Sequence, residues 1–490
     1  MTAASHPGEP ASLRRPGVRN PNLMVGVLAL CGSVVSLMQT LVVPILPELP
    51  RIFDAPAEDT SWIMTATLLA AAVSHPVVGR LGDMYGKRRM VLVVLALMVT
   101  GSVIGGLSTS LPWVVLGRAL QGLAIAVVPL GISIMRDNLG PERLGSAMAL
   151  MSATLGFGGA IGLPLAAMIA EHAHWHALFW VSGAVGFLDL VLVLLFVRES
   201  PVRSRARFDL LGAVWLTAGM SCLLLGITKG GSWGWGSAAT LGAFAAAAVL
   251  LPTWGIYELR RPAPLVDLRT SARRPVLFTN LASILVGFSI MVMSLVLPHV
   301  LQAPEATGYG FGLSMLEAGL ILGPSGVVAM VLPPVSARIS RRFGPKVALM
   351  LGGSLMGVTY FVAAVTLDAL WKIVLTSSLI GAGLALAYAA MPDLIMRAVP
   401  VTETAAANGL NALMRSVGTS TSSAVTSAVM ANMTITVGPL TLASLAGIQT
   451  AMMIAGGVGL LGVLVAAFIP AMPAAPHRAA AAAPARRAAA

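Results

Sequence analysis

Charged side chains are scarce in this chain. Asp, Glu, Lys and Arg make up 10% of its 490 residues, whereas about 25% is usual in a soluble domain. Hydrophobic residues account for 57%, and the mean hydropathy is +0.87. This composition excludes an ordinary water-soluble globular protein. Because a spanning helix needs about 20 apolar residues, the length accommodates a dozen or more spans joined by short loops. The bilayer is therefore the predicted main solvent and a constant partner of the chain.

Cysteine is almost absent as well. Cys31 and Cys222 are the only two, and both fall inside apolar runs. This excludes a disulfide framework and a four-ligand metal site, and it predicts that both thiols pack in the core. We predict no metal and no cofactor.

Catalytic motifs are missing too. The sequence contains no H-E-x-x-H, no phosphate-binding loop and no paired acids inside an apolar run. We therefore predict that the chain is not an enzyme. A pump driven by nucleotide hydrolysis is excluded by the missing phosphate loop and by the lack of room for a soluble domain.

Long apolar runs fill most of the sequence. Six spans are predicted within residues 22–197, two within 198–275 and six within 276–469. An N-terminal arm, residues 1–21, precedes them, and an Ala/Pro/Arg-rich tail, residues 470–490, follows and is predicted to be disordered. The predicted fold is all-α and polytopic, with two six-helix bundles and two extra central helices, fourteen transmembrane helices in all.

The basic residues alternate between the two sides of the membrane. If the N-terminus is cytoplasmic, 26 of the 31 Lys and Arg lie on the cytoplasmic side, three lie outside and two lie within spans. This asymmetry predicts a multi-pass protein of the inner membrane with both termini in the cytoplasm. No basic segment carries the interleaved aromatic residues of a nucleic-acid platform, so nucleic acid is not a predicted partner.

A repeat relates the two predicted bundles. GRLGDMYGKR at 79–88 is similar to ARISRRFGPK at 337–346, and GLAIA from Gly122 is similar to GLALA from Gly383. The nearly constant offset predicts a pseudo-twofold axis along the membrane normal. Carriers built in this way bind substrate between their halves, near mid-membrane.

The segment Gly79–Arg89 combines glycines, an acid and several bases. Gly79 permits close approach of helices, and Gly86 permits a turn back into the membrane. Asp83 falls at the partially negative end of its own helix and therefore needs a partner. The candidates are Lys87, Arg88 or the N-terminus of a helix near Glu403.

This segment resembles the signature between helices 2 and 3 of the major facilitator superfamily, G-x-L-x-D-x-x-G-x-R/K-R. The resemblance implies the major facilitator fold. It also implies a latch that closes the cytoplasmic side, which would comprise Gly79, Asp83, Gly86, Lys87 and Arg88. An ordinary basic loop that only sets topology is the alternative, but it leaves the glycine and Asp spacing unexplained.

Two further segments carry family-like motifs. Arg118, in LGRALQG, resembles the helix 4 signature R-x-x-Q-G, which implies a role in proton transfer. The alternative is an interfacial arginine that extends outward. GFGGAIGLPLAA from Gly156 resembles the antiporter signature loosely, with Gly158, Gly162 and Pro164 as the matching positions. Helix packing alone is the alternative there.

Other stretches resemble the fourteen-helix drug:proton antiporters. They lie at 62–83, 174–181 and 409–420, and the last includes Arg415, a candidate to line the cavity of the second half. One position departs from that subgroup, because Met38 occupies the place of its helix 1 acid. This departure turns attention to Asp189, the acid nearest mid-membrane. Asp189 is either a proton-coupling group or a partner in a fixed ion pair or in a hydrogen bond to a neighbouring helix.

His172, His174 and His176 cluster near one end of the fifth and sixth predicted spans. Their spacing is compatible with a metal site, but a surface loop is the favoured interpretation. The resulting functional prediction is a proton-coupled exporter of drug-like or lipophilic small molecules that works by alternating access as a monomer. The alternatives are a facilitator or exchanger of an endogenous metabolite, or a membrane protein that does not transport.

Overall fold

The computed structural model describes residues 20–157, 161–204, 207–438 and 440–470. The predicted arm, 1–21, and tail, 470–490, lie almost wholly outside these ranges. Within them the chain is nearly all helical. The helices are α1 Pro21–Thr40, α2 Leu49–Phe53, α3 Ala57–Thr60, α4 Trp62–Tyr85, α5 Lys87–Leu107, α6 Leu111–Leu123, α7 Val127–Asn138, α8 Pro141–Phe157, α9 Leu163–His172, α10 His176–Phe196, α11 Leu210–Trp233, α12 Ala238–Leu259, α13 Leu268–Ser271, α14 Arg274–Gln302, α15 Met315–Val331, α16 Pro333–Phe343, α17 Pro345–Thr366, α18 Leu370–Ala398, α19 Thr404–Asn432 and α20 Leu445–Ala467.

One antiparallel hairpin interrupts the helices. Strands β1 Thr434–Val437 and β2 Leu440–Ala443 pair with Thr434 opposite Ala443, and Gly438 follows β1 with φ +59°. The all-α prediction missed this hairpin. Its signal is present in the sequence, because alternating Thr, Ile and Val favour a strand and a glycine accepts the positive φ of the turn.

The described residues hold twelve helical segments long and apolar enough to cross a membrane. The predicted count of fourteen is therefore not confirmed. One of the two remaining segments comprises α8 and α9, which flank the undescribed residues 158–160. The other is α19, which is 29 residues long but rich in Ser, Thr and Asn.

Two large apolar clusters form the interior. One joins residues of α14, α17, α18 and α20 in the second predicted bundle. The other joins α1, α5, α7, α8 and α10 of the first, and it also includes Met396 and Ala405 from the second. The cores of the two halves are thus in contact through residues near the start of α19.

The two extra helices do not pack equally. α11 lies against α4 of the first half and α19 of the second, through a cluster that includes Ala72, Leu216 and Leu413. Lys229 at its far end donates to the Glu58 carbonyl at 3.1 Å and to Ser61 Oγ at 2.5 Å. α12 packs on α11, and most of its remaining surface is exposed. α11 therefore covers the seam between the halves, and α12 covers α11.

Close helix packing in the first half depends on Gly101. A Cβ added there would lie 2.4 Å from the Gly117 carbonyl oxygen. We expect Gly101→Ala to separate α5 from α6 and to destabilise the protein by about 1–3 kcal/mol, the usual effect of overpacking. Thermal unfolding in detergent measures it. Gly242→Ala in α12 is the matched control, since a Cβ there meets nothing within 4 Å and alanine favours a helix. Equal unfolding temperatures for the two variants would contradict the prediction.

Candidate functional site

The two halves meet where α4 runs antiparallel to α19. A Cβ on Gly79 would lie 2.6 Å from the Ala405 carbonyl oxygen, and one on Gly409 would lie 2.2 Å from the His75 carbonyl oxygen. Both distances are far below a normal contact, so the backbones touch at both levels. We call this contact the α4/α19 joint, and the end of the bundle where Gly86 lies the basic end.

Asp83 connects the first half to the second at the basic end. Its carboxylate accepts hydrogen bonds from the backbone N–H groups of Ala405, at 3.2 Å, and Ala406, at 2.9 Å. These are among the N–H groups of the first turn of α19, which have no partner within the helix. The partially positive N-terminus of α19 thus faces a buried carboxylate from the other half.

Lys87 is the second partner of Asp83. Its Nζ lies 3.5 Å from Asp83 Oδ1 and 2.5 Å from Asp137 Oδ2, and all three side chains are buried. Ser200 donates to the same Asp137 oxygen at 2.5 Å. One buried lysine therefore joins two buried carboxylates on α4 and α7.

A further bridge between the halves lies beside this network. Arg136 donates to Thr404 Oγ1 at 2.7 Å, across 268 positions of sequence. Thr404 in turn donates to the Val401 carbonyl at 2.9 Å. The first turn of α19 is therefore held by Arg136, through Thr404, as well as by Asp83, through Ala405 and Ala406.

Arg88 does not pair with Asp83. Its Nη2 donates to the Leu194 carbonyl at 2.8 Å. The carboxylate of Glu199 accepts from the backbone N–H groups of Arg88, at 3.0 Å, and Arg89, at 3.1 Å, and so caps α5. Gly86 has φ +119°, and a Cβ there would lie 2.5 Å from Glu199. The positive φ favours glycine at this turn, and a Cβ there would also displace the Glu199 carboxylate from its cap.

The second half repeats the turn without the ion network. Gly344 has φ +91°, as Gly86 has, but the position equivalent to Asp83 is Arg341, which is exposed. Lys346 donates to the carbonyls of Ala467 and Ile469 and so caps the end of α20.

Arg118 lies in α6 and is 1% exposed. It donates to Gln121 Oε1 at 2.9 Å and to the Met38 carbonyl at 3.3 Å, while its Nε and Nη2 have no partner. Gln121 donates to Ser102 Oγ at 2.8 Å. The guanidinium is thus inside the first half rather than directed outward. Its acceptors are neutral, and one is the backbone carbonyl of Met38, the residue that replaces the expected acid.

Asp189 is fully buried in α10, at 0% exposure, and neither carboxyl oxygen has a hydrogen-bond partner. The Cys31 thiol of α1 lies close enough to interact with it electrostatically. Asp189 pairs with no cation among the described residues, so a fixed ion pair does not hold in this conformation. The Cys31 thiol of the neighbouring helix α1 is within reach as a weak hydrogen-bond donor, so the alternative of a hydrogen bond stays open.

Arg415 lies in the second half, on α19. It donates to Asn411 Oδ1 at 2.6 Å, and its guanidinium carbon lies 4.9 Å from the centre of the Tyr388 ring. Asn411 donates to Asn280 Oδ1 at 2.9 Å and to Ser283 Oγ at 2.7 Å. These side chains form a polar cluster on the face of α19 that packs on α14 and α18. Arg118, Asp189 and Arg415 therefore occupy three separate environments.

The antiporter-like segment is described only in part. Gly158 lies outside the described residues. A Cβ on Gly162 would lie 2.0 Å from Thr40 Oγ1, so this glycine permits close packing on α1. Pro164 lies in the first turn of α9, where its missing N–H is not needed. These contacts support the packing alternative, and an antiport role stays a prediction.

The histidines near the start of α10 lie close together. His176 Nδ1 is 2.6 Å from His174 Nδ1, and His176 Nε2 is 2.9 Å from the Ser108 carbonyl. His172 contacts the Met168 carbonyl instead, at 2.9 Å. In the described ranges, no group of three or more His, Cys, Asp or Glu side chains has an arrangement that could hold a metal ion.

Within the described residues, twelve helices long and apolar enough to cross a membrane, together with the buried charged contact between α4 and α19, are typical of a membrane transporter. The sequence model of the Major Facilitator Superfamily matches residues 28–423, and the chain belongs to that superfamily, whose members are transporters rather than enzymes. The chain is accordingly a multi-pass membrane protein.

Several characterised proteins are similar to it. The tetracenomycin C resistance and export protein of Streptomyces glaucescens is 31% identical over 408 residues, covering 81% of this chain and 74% of that protein. The multidrug export protein EmrB of Haemophilus influenzae is 28% identical, over 70% of this chain and 67% of that protein. The crystal structure of the human organic anion transporter MFSD10 matches the fold with a TM-score of 0.66 at 17% identity, over 91% and 99% of the two chains.

Removal of Lys87 tests the buried ion network. Lys87→Met leaves Asp137 and Asp83 buried without their shared cation, and breaking such a pair from one side costs about 3–5 kcal/mol. We expect a large fall in the unfolding temperature in detergent and partial recovery when Asp137→Asn is added. Lys372→Met is the control, because its pair with Asp368 is exposed at a loop and contributes little. A fall no larger than that of the control would show that the network does not stabilise the protein.

Proposed function

We propose that this protein is a proton-coupled exporter of drug-like or lipophilic small molecules, and that it works by alternating access between its two halves. The relatives named above are resistance and export proteins, which supports export as the direction and a drug-like molecule as the substrate. The observation that carries proton coupling is the environment of Asp189.

A buried carboxyl without a hydrogen-bond donor or cation is tolerated far better as the neutral acid than as the carboxylate. Asp189 comes close to that situation in this conformation, because no cation among the described residues pairs with it and the Cys31 thiol beside it is only a weak donor. When the halves move and water reaches α10, hydration stabilises the carboxylate form of Asp189, and the proton can leave. A group whose hydration changes with conformation is what coupling requires.

The α4/α19 joint supports the alternating movement. Asp83 acts as the latch of the basic end, because the hydrogen bonds to Ala405 and Ala406 exist only while that end is closed. Gly79 and Gly86 permit its geometry, and Lys87 neutralises it. Arg88 positions the turn through Leu194 rather than completing the latch.

We further propose fourteen spans, with both termini cytoplasmic and the basic end on the cytoplasmic side of the inner membrane. α19 is 29 residues long, about 43 Å, which is enough to cross a bilayer. Its low hydropathy is compatible with a span because several of its polar side chains are buried in the protein, namely Thr404, Asn408, Asn411, Ser422 and Thr426. The basic residues follow the positive-inside pattern only for an even number of spans.

The proposal extends to the organisation of the chain. Residues 22–197 and 276–469 form the two moving bundles, and 198–275 form the linker with α11 and α12. A single chain contains both halves of the joint, so a monomer suffices for transport.

Neutralising Asp189 tests the coupling. In vesicles with an imposed pH gradient, we expect Asp189→Asn to abolish uphill drug movement and to leave downhill exchange measurable. The reason is that asparagine cannot bind and release a proton in the physiological pH range. The carboxylate control is Asp368→Asn in an exposed loop, which should retain uphill transport. Uphill transport by Asp189→Asn at the wild-type rate would remove Asp189 from the mechanism.

Substrate and energy source can be identified in one screen. Expression in a bacterial host without its major drug pumps should raise resistance to lipophilic antibiotics, and a proton uncoupler should abolish drug extrusion from preloaded cells. Extrusion that persists with the uncoupler would refute proton coupling. Unchanged resistance and accumulation across the drug panel would refute drug export.

A further inference from the structure

Of the three ionisable residues predicted for the transport site, Arg415 is the most accessible. Asp189 and Arg118 are 0% and 1% exposed inside the first half, whereas the side chain of Arg415 is half-buried. Arg415 lies about 16 Å along α19 from the first residue of that helix. A molecule that enters the bundle to this depth can therefore meet the charge of Arg415, but not the other two.

The side chain of Arg415 lies on the face of α19 opposite α11. Leu413 and Val417 belong to the apolar cluster with α11, and each is two residues from Arg415, a rotation of about 200° around the helix. Thr419 and Ser423 follow at spacings of four, so they share the face of Arg415, and both are half-buried. A charged and polar face of this kind, away from the covering helix, is typical of a water-accessible space inside a bundle.

A set of buried polar side chains fixes the position of the guanidinium. Asn411 is 1% exposed, and its Oδ1 accepts from Arg415 Nη1 at 2.6 Å. Its Nδ2 donates to Asn280 Oδ1 at 2.9 Å and to Ser283 Oγ at 2.7 Å, both on α14. The ring of Tyr388, on α18, lies 4.9 Å from the guanidinium carbon. The arginine is thus held in one orientation by groups from three helices.

No acid neutralises Arg415 among the described residues. Their ion pairs involve other carboxylates, namely Asp83, Asp137, Asp209, Asp368 and Asp393. Arginine keeps its charge in proteins, and an unpaired charge at this depth is costly. A structural role does not explain that cost, because Asn411 already joins α19 to α14 without the arginine. A ligand of opposite charge does explain it.

We propose that Arg415 binds the exported molecule and that this molecule is an organic anion, a lipophilic body that carries a carboxylate. A planar guanidinium pairs with a carboxylate through two parallel N–H···O hydrogen bonds. Asn411 occupies Nη1, which leaves Nε and Nη2 for the carboxylate. The aromatic ring of Tyr388 beside the guanidinium provides apolar surface for the body of the molecule.

This inference rests on the proposed drug export and adds the charge of the substrate to it. The two halves then have different tasks: Asp189 in the first half exchanges the proton, and Arg415 in the second half binds the anion. An anion that leaves the cytoplasm carries negative charge outward. A membrane potential that is negative inside therefore assists export in the same direction as the proton gradient.

Two probes of nearly equal shape test the charge preference. They are 1-pyrenebutyrate and its neutral amide, 1-pyrenebutyramide. Binding to the full chain in phosphatidylcholine nanodiscs is measured by equilibrium dialysis at neutral pH without any gradient, and binding to empty nanodiscs is subtracted. We expect the carboxylate to bind about tenfold more tightly than the amide, the usual scale for a hydrogen-bonded charge pair.

Variants of Arg415 separate recognition from packing. Arg415→Gln should reduce the affinity for the carboxylate to that for the amide and leave the affinity for the amide unchanged. Arg415→Lys, the second variant, keeps the charge but not the planar fork, and should show a preference between those of the wild type and Arg415→Gln. Arg341→Gln, at an exposed arginine of the basic end, is the matched control and should bind both probes as the wild type does.

The proposal is overturned if 1-pyrenebutyrate does not bind, or if it binds no more tightly than the amide. It is also overturned if Arg415→Gln weakens both probes equally, as a purely structural role predicts, or if Arg415→Lys keeps the full preference. These measurements do not depend on proton coupling. A carboxylate preference in a protein that transports without protons would refute the coupling alone, and a proven proton-driven exporter without the preference would refute the role of Arg415 alone.

Discussion

The start of α19 has to be stabilised by the opposite half of the protein, and much of the closed arrangement depends on this constraint. The first N–H groups of α19 have no acceptor within the helix, and the carboxylate of Asp83 supplies it from α4. Burial of that carboxylate in turn requires Lys87, and Lys87 is shared with Asp137. The backbones must approach closely for these bonds to form, which explains Gly79 and Gly409. A helix end, an ion network and two glycines are thus parts of one contact.

The same helix shows how polar residues can accumulate inside the helical bundle. α19 packs on α14 within the second half and on α4 across the joint, while α11 covers the seam from outside. Ser, Thr and Asn on α19 therefore find partners in protein rather than in lipid, as Asn411 does with Asn280 and Ser283. A hydropathy threshold detects strongly apolar helices, so it misses a helix whose Ser, Thr and Asn side chains bond within the protein. The extra helix α11 has a structural role at this seam.

Sequence patterns predicted local features well and distant partners poorly. Short spacings and the charge at helix ends predicted the turn at Gly86 and three candidate partners of Asp83. Two of these partners, Lys87 and the N-terminus of α19, are present in the structure. The partners Asp137, Ser200, Glu199 and Thr404 lie 50 to 268 positions from the residues they contact, and no local pattern connects them. Glu199 and Asp137 were nevertheless detectable as acids next to span ends. The hairpin β1–β2 was missed because a strongly helical composition outweighed a short β-branched run.

Hydrogen exchange at the first turn of α19 tests the central claim that Asp83 of one half holds the N-terminus of the other. In lipid nanodiscs without substrate, the amides of Ala405 and Ala406 should be strongly protected in the wild type, and Asp83→Asn should remove most of that protection. The first turn of α20 is the internal reference, since Ser444 caps it within its own half and its exchange should not change. Equal protection of α19 in the wild type and in Asp83→Asn would contradict the claim, because closure of the joint would then not depend on this carboxylate.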